Sequence, residues 1–167
     1  MLVSALTAQD APRYRALMLH AYEAAADAFT STAEERATEP ESWWVRRIAD
    51  PSGLSVAFGA FEGGELIGAV TVEFTAKPKT KHKAHLVGMF VCESARGLGA
   101  GKALVSAALD AARTRAGVRV VTLTVTEGNA PATRLYESCG FKTFGVEPMA
   151  IVTPSGMKSK IHMWLPI

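Results

Sequence analysis

The sequence predicts an α/β fold of the α+β kind: a mixed, mostly antiparallel central sheet of about seven strands. Three observations carry this. Several β-prone runs are separated by short Gly- or Pro-containing turns. Two segments carry apolar residues at helical spacing. Only one clear strand–helix–strand passage occurs, and such a crossover joins a parallel pair inside a sheet otherwise built from hairpins.

Taken in order, Leu2 to Leu6 is a short first strand. Asp10 before Pro12 suits a helix start, with Asp as N-cap and Pro in the first turn. Tyr14, Leu17, Met18, Ala21 and Tyr22 then mark an amphipathic helix. Phe29 to Glu39 is polar and irregular or weakly helical, and Pro40 opens a second helix carrying Trp43, Trp44, Ile48 and Ala49. Asp50-Pro51-Ser52-Gly53 stops it. Leu54 to Phe61 and Glu65 to Thr75 flank Glu62-Gly63-Gly64 as a hairpin. After a turn at Lys77-Pro78-Lys79-Thr80, Ala84 to Val91 is a further strand. Ala95 to Gly101 is Gly-rich. Leu104, Ala107, Ala108, Ala111 and Ala112 form the second helical stripe, with Gly117 expected as its C-cap. Val118 to Thr126 alternates Val or Leu with Thr, as a strand does. Pro131 to Cys139 is a short helix ended by Gly140. Phe141 to Met149 and Lys160 to Leu165 are the last strands, with Pro154-Ser155-Gly156 between them.

A chain of 167 residues fits one domain, spanning 1–167. At that length about 70% of the unfolded surface is buried without disulfide or metal staples. A net charge of +2 excludes nucleic-acid binding driven by bulk charge. No apolar run approaches the roughly 18 residues of a membrane span, and the N-terminus lacks the basic start of a signal peptide. Cys92 and Cys139 lie far apart, with neither zinc nor CxxC spacing. The expectation is a reduced, cytoplasmic protein with no metal, no membrane partner and no nucleic-acid partner.

The chemistry concentrates between Val87 and Leu104, where a strand runs through a Gly-rich turn into a helix. Amides at a helix start have no partner within the helix, and the helix dipole adds positive potential there. Such a turn suits phosphate or pyrophosphate. The nucleotide-triphosphate loop fails as a template, because Ala103 follows Lys102 where a hydroxyl is required. The dinucleotide fingerprint is weak, since Lys102 stands at its third Gly position. The pattern [QR]-x-x-G-x-[GA] is met by Arg96, Gly99 and Gly101. Downstream, Asn129, Ala132, Tyr136, Gly140 and Phe141 meet N-x-x-A-x-x-x-Y-x-x-x-G-F at every fixed position.

Together these two signatures resemble the GCN5-related N-acetyltransferase (GNAT) family, most sharply from about Ala84 to Phe141. The resemblance implies helices on both faces of the sheet, acetyl-CoA as co-substrate, and acetyl transfer to a primary amine by direct attack in a ternary complex. The backbone of Met89, Phe90 and Val91 is then expected to pair with the pantetheine arm, whose two amides can act as an added strand. Arg96, Gly97, Leu98, Gly99, Ala100, Gly101 and Lys102 would line the pyrophosphate. Asn129 and Ala132 would border the coenzyme arm, although Asn129 suits a helix N-cap equally well. Tyr136 would be the general acid toward the departing thiolate, against the competing reading of a buried helix aromatic. An alkylammonium, with a reference pKa of about 10.4, must shed a proton before attack. His85 stands where some protein-acetylating relatives carry Glu, with Glu73 and then Glu127 as carboxylate alternatives.

Other readings stay open on the sequence. A non-catalytic acyl-CoA sensor would carry the same motifs. Lys77, Lys79, Lys81 and Lys83, with His82 and His85, make a basic stretch whose lysines share one face if that segment is extended; a solubilising sheet edge is the preferred reading over recruitment of an acidic substrate or of nucleic acid. One of Trp43 and Trp44 belongs to the core, and the other is a candidate wall of the acceptor pocket. The acceptor, a small-molecule or peptide amine, carries no motif of its own, and a homodimer is left open.

Overall fold

Alternation along the strands sorts the apolar residues onto two faces, and each face has its own helices. The computed structural model describes residues 1–167. Its strands are β1 (Leu2–Ala5), β2 (Ser55–Glu62), β3 (Glu65–Phe74), β4 (Lys83–Val91), β5 (Val120–Thr126), β6 (Lys142–Thr153) and β7 (Gly156–Pro166). They form a 7-stranded sheet in the order β1-β2-β3-β4-β5-β7-β6. Every neighbouring pair is antiparallel except β4–β5. The parallel pair is joined by the expected crossover helix, α4 (Ala100–Thr114).

On one face, Val70, Val72, Ala84, Leu86, Val121 and Leu123 meet Leu104, Val105, Ala108 and Ala112 of α4. The short helix α5 (Ala130–Ser138) adds Tyr136 to the same cluster. On the other face, Ala57, Ala69 and Phe90 meet α1 (Ala11–Ala24) and α3 (Glu41–Ala49) through Tyr14, Met18, Trp44 and Ile48. Small residues under the helices (Ala57, Ala69, Ala108, Ala112, each fully buried) allow the close helix–sheet approach that dense packing requires. A short helix, α2 (Ala33–Ala37), sits between α1 and α3 and is capped by Thr32 and Glu35 in a reciprocal capping box.

Strand β4 carries an irregularity that reverses which way its last side chains point. Thr71 pairs with Val87 but Ala69 pairs with Phe90, so β4 has one residue more than β3 across this interval. The bulge falls at Gly88, whose φ is +62°. It resets the alternation. His85 faces the α1/α3 side, opposite in direction to Ala84 and Leu86, whereas Met89 and Val91 beyond the bulge pack toward the α4 side. A glycine inside a strand is the local signal for such a bulge.

Asp10 is the N-cap residue of α1 with Pro12 in the first turn, as expected, but its carboxylate makes no cap bond; it turns back to accept from the Thr7 amide at 2.7 Å and pairs with Arg13. Three sequence expectations need correction. Helix α4 ends at Thr114, so Gly117 lies in the turn beyond the cap residue Arg115. The last hairpin is longer than its apolar runs suggested, because polar residues on its open side still pair across β6 and β7. The lysine stretch is not extended: the amides of Thr80 and Lys81 both bond to the Lys77 carbonyl, which folds the segment into a turn and breaks the shared face.

Gly88 provides a direct test of the bulge. A Cβ there meets only ordinary contacts, the nearest being Tyr14 Oη at 3.6 Å, so the penalty for Gly88→Ala is conformational. A left-handed non-Gly residue costs roughly 1–2 kcal/mol. The urea midpoint of Gly88→Ala should fall accordingly with an unchanged m-value.

Candidate functional site

The site begins where the parallel pair stops. Strands β4 and β5 are in register only at Lys83↔Val120, Ala84↔Val121 and His85↔Thr122. Strand β5 stays fully paired to β7 through Thr126. From Leu86 and Leu123 onward the two strands part, and their facing backbone groups have no partner across the gap. A cavity of about 240 Å³ occupies it. Its lining comes from both sides of the sheet: Met89, Asn129, Ala132, Leu135 and Tyr136 on the α5 side, and Tyr22, Phe29, Thr30, Arg47, Thr124 and Lys160 on the α1/α3 side.

Next to this gap, β4 leads through a single 3-10 turn, Glu93–Ala95, into α4. The amides of Gly97, Leu98, Gly99, Ala100, Gly101 and Lys102 have no acceptor within the chain. Gly97 (φ +78°) and Gly99 (φ +84°) aim them outward, and a Cβ at either position would meet nothing within 4 Å. The segment is open to solvent apart from Ala100, which anchors it in the core. Arg96 folds back, its Nε donating to the Val91 carbonyl at 3.3 Å, and ties the turn to the strand end. Unpaired amides at a helix start, adjoining a gap that accepts an extended chain, fit a diphosphate followed by an amide-bearing arm. Residues 96–102 and Met89 to Val91 therefore lie together as expected, and Phe90 contributes through its backbone, since its side chain is buried against α1.

Asn129 proves to be the N-cap of α5, its Oδ1 accepting from the Ala132 amide at 3.3 Å, and it also lines the cavity. Further along the helix, Tyr136 is 7% exposed and stacks edge-on against Phe141. Burial pushes its phenol well above the ordinary value of 10, so it stays protonated at every working pH. No group of the chain hydrogen-bonds to it.

The other wall of the cavity was not legible in the sequence. The connection after α1 is clasped to the last hairpin: Asp27 accepts from Ser155 Oγ at 2.7 Å and pairs with Lys158 at 3.2 Å, and Lys160 Nζ donates to Thr30 Oγ1 at 2.8 Å. Arg47 reaches the cavity from α3 while its Nη1 holds Glu73 Oε1 at 2.9 Å. These residues carry no local signal; only the pairing of β7 with β5 brings Lys160 beside Thr126.

His85 and Glu73 do not line this cavity. They lie one step further along the same face, directly across β4 and β3 from each other, in a second pocket with Lys83 and Thr122. Burial lowers the His85 pKa below the ordinary 6.5, against a smaller opposing effect of Glu73. Its Nδ1 lies 2.8 Å from Thr122 Oγ1. Donation from Nδ1 to that hydroxyl would leave Nε2 as the free base. Glu127 is spent on the Ser159 amide and lies outside the cavity. Trp44 is core; Trp43 lies outside the cavity lining and stacks with Arg47 instead. Cys92 and Cys139 are free thiols, and burial raises the Cys92 pKa, which disfavours a thiolate nucleophile there.

The sequence profile of the acetyltransferase (GNAT) family matches residues 18–141. The chain is similar to the mycothiol acetyltransferase of Thermomonospora curvata, 40% identical over 114 residues, covering 68% of this chain but only 34% of that protein. It is also similar to the L-amino acid N-acetyltransferase AaaT of Escherichia coli, 28% identical over 61% of this chain and 62% of that one. The chain thus spans about a third of the first relative's length. Among solved structures, a GCN5-related N-acetyltransferase from Kribbella flavida superposes with a TM-score of 0.82 at 25% identity, over 99% of this chain and 97% of that one. The structure of yncA from Salmonella typhimurium, solved with its cofactor acetyl-CoA, superposes with a TM-score of 0.82 at 21% identity, over 99% of this chain and 93% of that one.

Two substitutions test the open turn. Gly99→Val forces a β-branched residue to a left-handed φ, and Gly101→Val drives a side chain into Leu135, whose Cδ2 would lie 3.1 Å from the new Cβ. Titration calorimetry should show coenzyme A affinity reduced at least about tenfold, or ~1.4 kcal/mol, in each. Unaltered affinity would remove the diphosphate assignment.

Proposed function

The chain belongs to the acetyltransferase (GNAT) family, whose members use acetyl-CoA, and we propose that it transfers the acetyl group to a primary amine by direct attack within a ternary complex. The observation that supports this most is the cavity that passes between β4 and β5, with unpaired amides at one end and a protonated, unbonded phenol in its wall. The amides of Gly97 to Lys102 hold the diphosphate, and the free edges of β4 and β5 hold the arm. Bound there, the coenzyme supplies a thioester open to attack by nitrogen.

The chain's own part is placement and proton handling. Tyr136 Oη presents a proton to the sulfur that leaves when the carbon–nitrogen bond forms and the carbon–sulfur bond breaks. The acceptor nitrogen sheds a proton in the same event. His85 Nε2 takes it through water, since His85 faces the acceptor side one alternation from Val87, which lines the cavity. Arg47 holds the Glu73 carboxylate in an ion pair, which occupies it away from that task. The names of the mycothiol and L-amino acid acetyltransferase relatives are consistent with small amine acceptors.

Tyr136→Phe should lower kcat by roughly 100-fold while the coenzyme A dissociation constant stays within about threefold, as removal of a general acid predicts. Normal turnover in this variant would overturn the assignment, and binding without turnover in the parent protein would favour an acyl-CoA sensor. The role given to His85 sets the sign of the pH dependence. Its lowered pKa keeps the imidazole neutral and proton-accepting below pH 6.5, so kcat/KM should hold through that point and fall only at lower pH. His85→Ala should abolish this acid limb; a limb left unchanged would move the base elsewhere.

A further inference from the structure

The acceptor half of the cavity is cationic and hydroxylic, which bears on the kind of amine it takes. Lys160 and Arg47 both line it, with Thr30, Ser31, Thr124 and Thr126 between them. Lys160 belongs to no ion pair; its ammonium has only the Thr30 hydroxyl as partner. Two of the carboxylates near it are committed elsewhere. Glu73 is held by Arg47, and Asp27 by Lys158 and Ser155. Glu147 stands across from Lys160 in the β6–β7 register and makes no ion pair with it. Arg47 in turn has a buried Nε with no acceptor. The remaining titratable neighbours on this face, His85, His162 and Lys83, add no negative charge.

The ammonium of a half-buried lysine, without a carboxylate partner, repels a polyamine and favours an acceptor that brings its own anion. We propose that the acceptor is a small primary amine carrying a carboxylate, a free amino acid, whose carboxylate is received by Lys160 with Arg47 beside it. This rests on the transferase reading above. The carboxylate would take the place that Thr30 Oγ1 holds at Lys160 Nζ, leaving the amino group toward the gap between β4 and β5.

The experiment compares thiol release from acetyl-CoA across the free L-amino acids, their amides, the corresponding decarboxylated amines and spermidine. The expected result is a preference of at least about tenfold in kcat/KM for the best free acid over its own amide and amine, as loss of a charge-assisted contact predicts. Lys160→Met should reduce that preference to within about threefold, chiefly through KM, with coenzyme A affinity unchanged. Lys160→Arg should retain it. Amides or plain amines used as well as the acids, or a preference that survives Lys160→Met, would overturn the proposal while leaving the transferase reading in place. Thiol release with none of these amines, despite coenzyme A binding, would overturn both.

Discussion

The fold depends on a parallel strand pair that closes for only a few residues. Strand β5 stays with β7 along its whole length, while β4, bulged at Gly88, leaves it after His85. The sheet therefore opens rather than shears, and the opening leaves backbone groups unpaired in a region otherwise surrounded by core. Buried unpaired backbone is costly, so such a gap persists only where water or a ligand can satisfy it. The bulge at Gly88 lies beside the gap and turns Met89 and Val91 toward the α4 side. The gap is thus lined differently on its two faces.

Burial acts on Tyr136 and His85, the two residues proposed to handle protons, in opposite directions with one result. It raises the phenol of Tyr136 and lowers the imidazole of His85, so both are held neutral. A neutral phenol is a donor and a neutral imidazole an acceptor. The two groups sit on opposite sides of the sheet, so their protonation states do not compete. The α1/α3 side of the cavity carries its cationic side chains, Lys160 and Arg47.

Most of the architecture was legible because strands and helices have different periods, and this chain keeps to them. The single parallel pair followed from one strand–helix–strand passage, and the open turn proposed for the coenzyme was marked by two motifs that lie close together in sequence. Asn129 illustrates why both readings of a motif residue can hold: it caps α5 and lines the cavity at once. The acceptor half was not legible. Thr30, Arg47, Thr124 and Lys160 come from four separate segments, and each is an ordinary surface-type residue in its own neighbourhood. Only β7 inserting between β5 and β6 gathers them, and strand order within a sheet leaves no local mark. The lysine run misled for the opposite reason: its alternation is real in sequence, but Pro78 and the bonds to the Lys77 carbonyl turn the chain before it can extend.

Because the opening passes through the sheet, the proposed assignment would bring a nucleotide tail in beside α4 and α5 and a small molecule in beneath α1 and α3, along separate routes. Neither has to pass the other on the way in or out. The architecture therefore imposes no steric sequence of arrival and departure, and any ordered kinetics would have to arise from the residues shared at the strand ends.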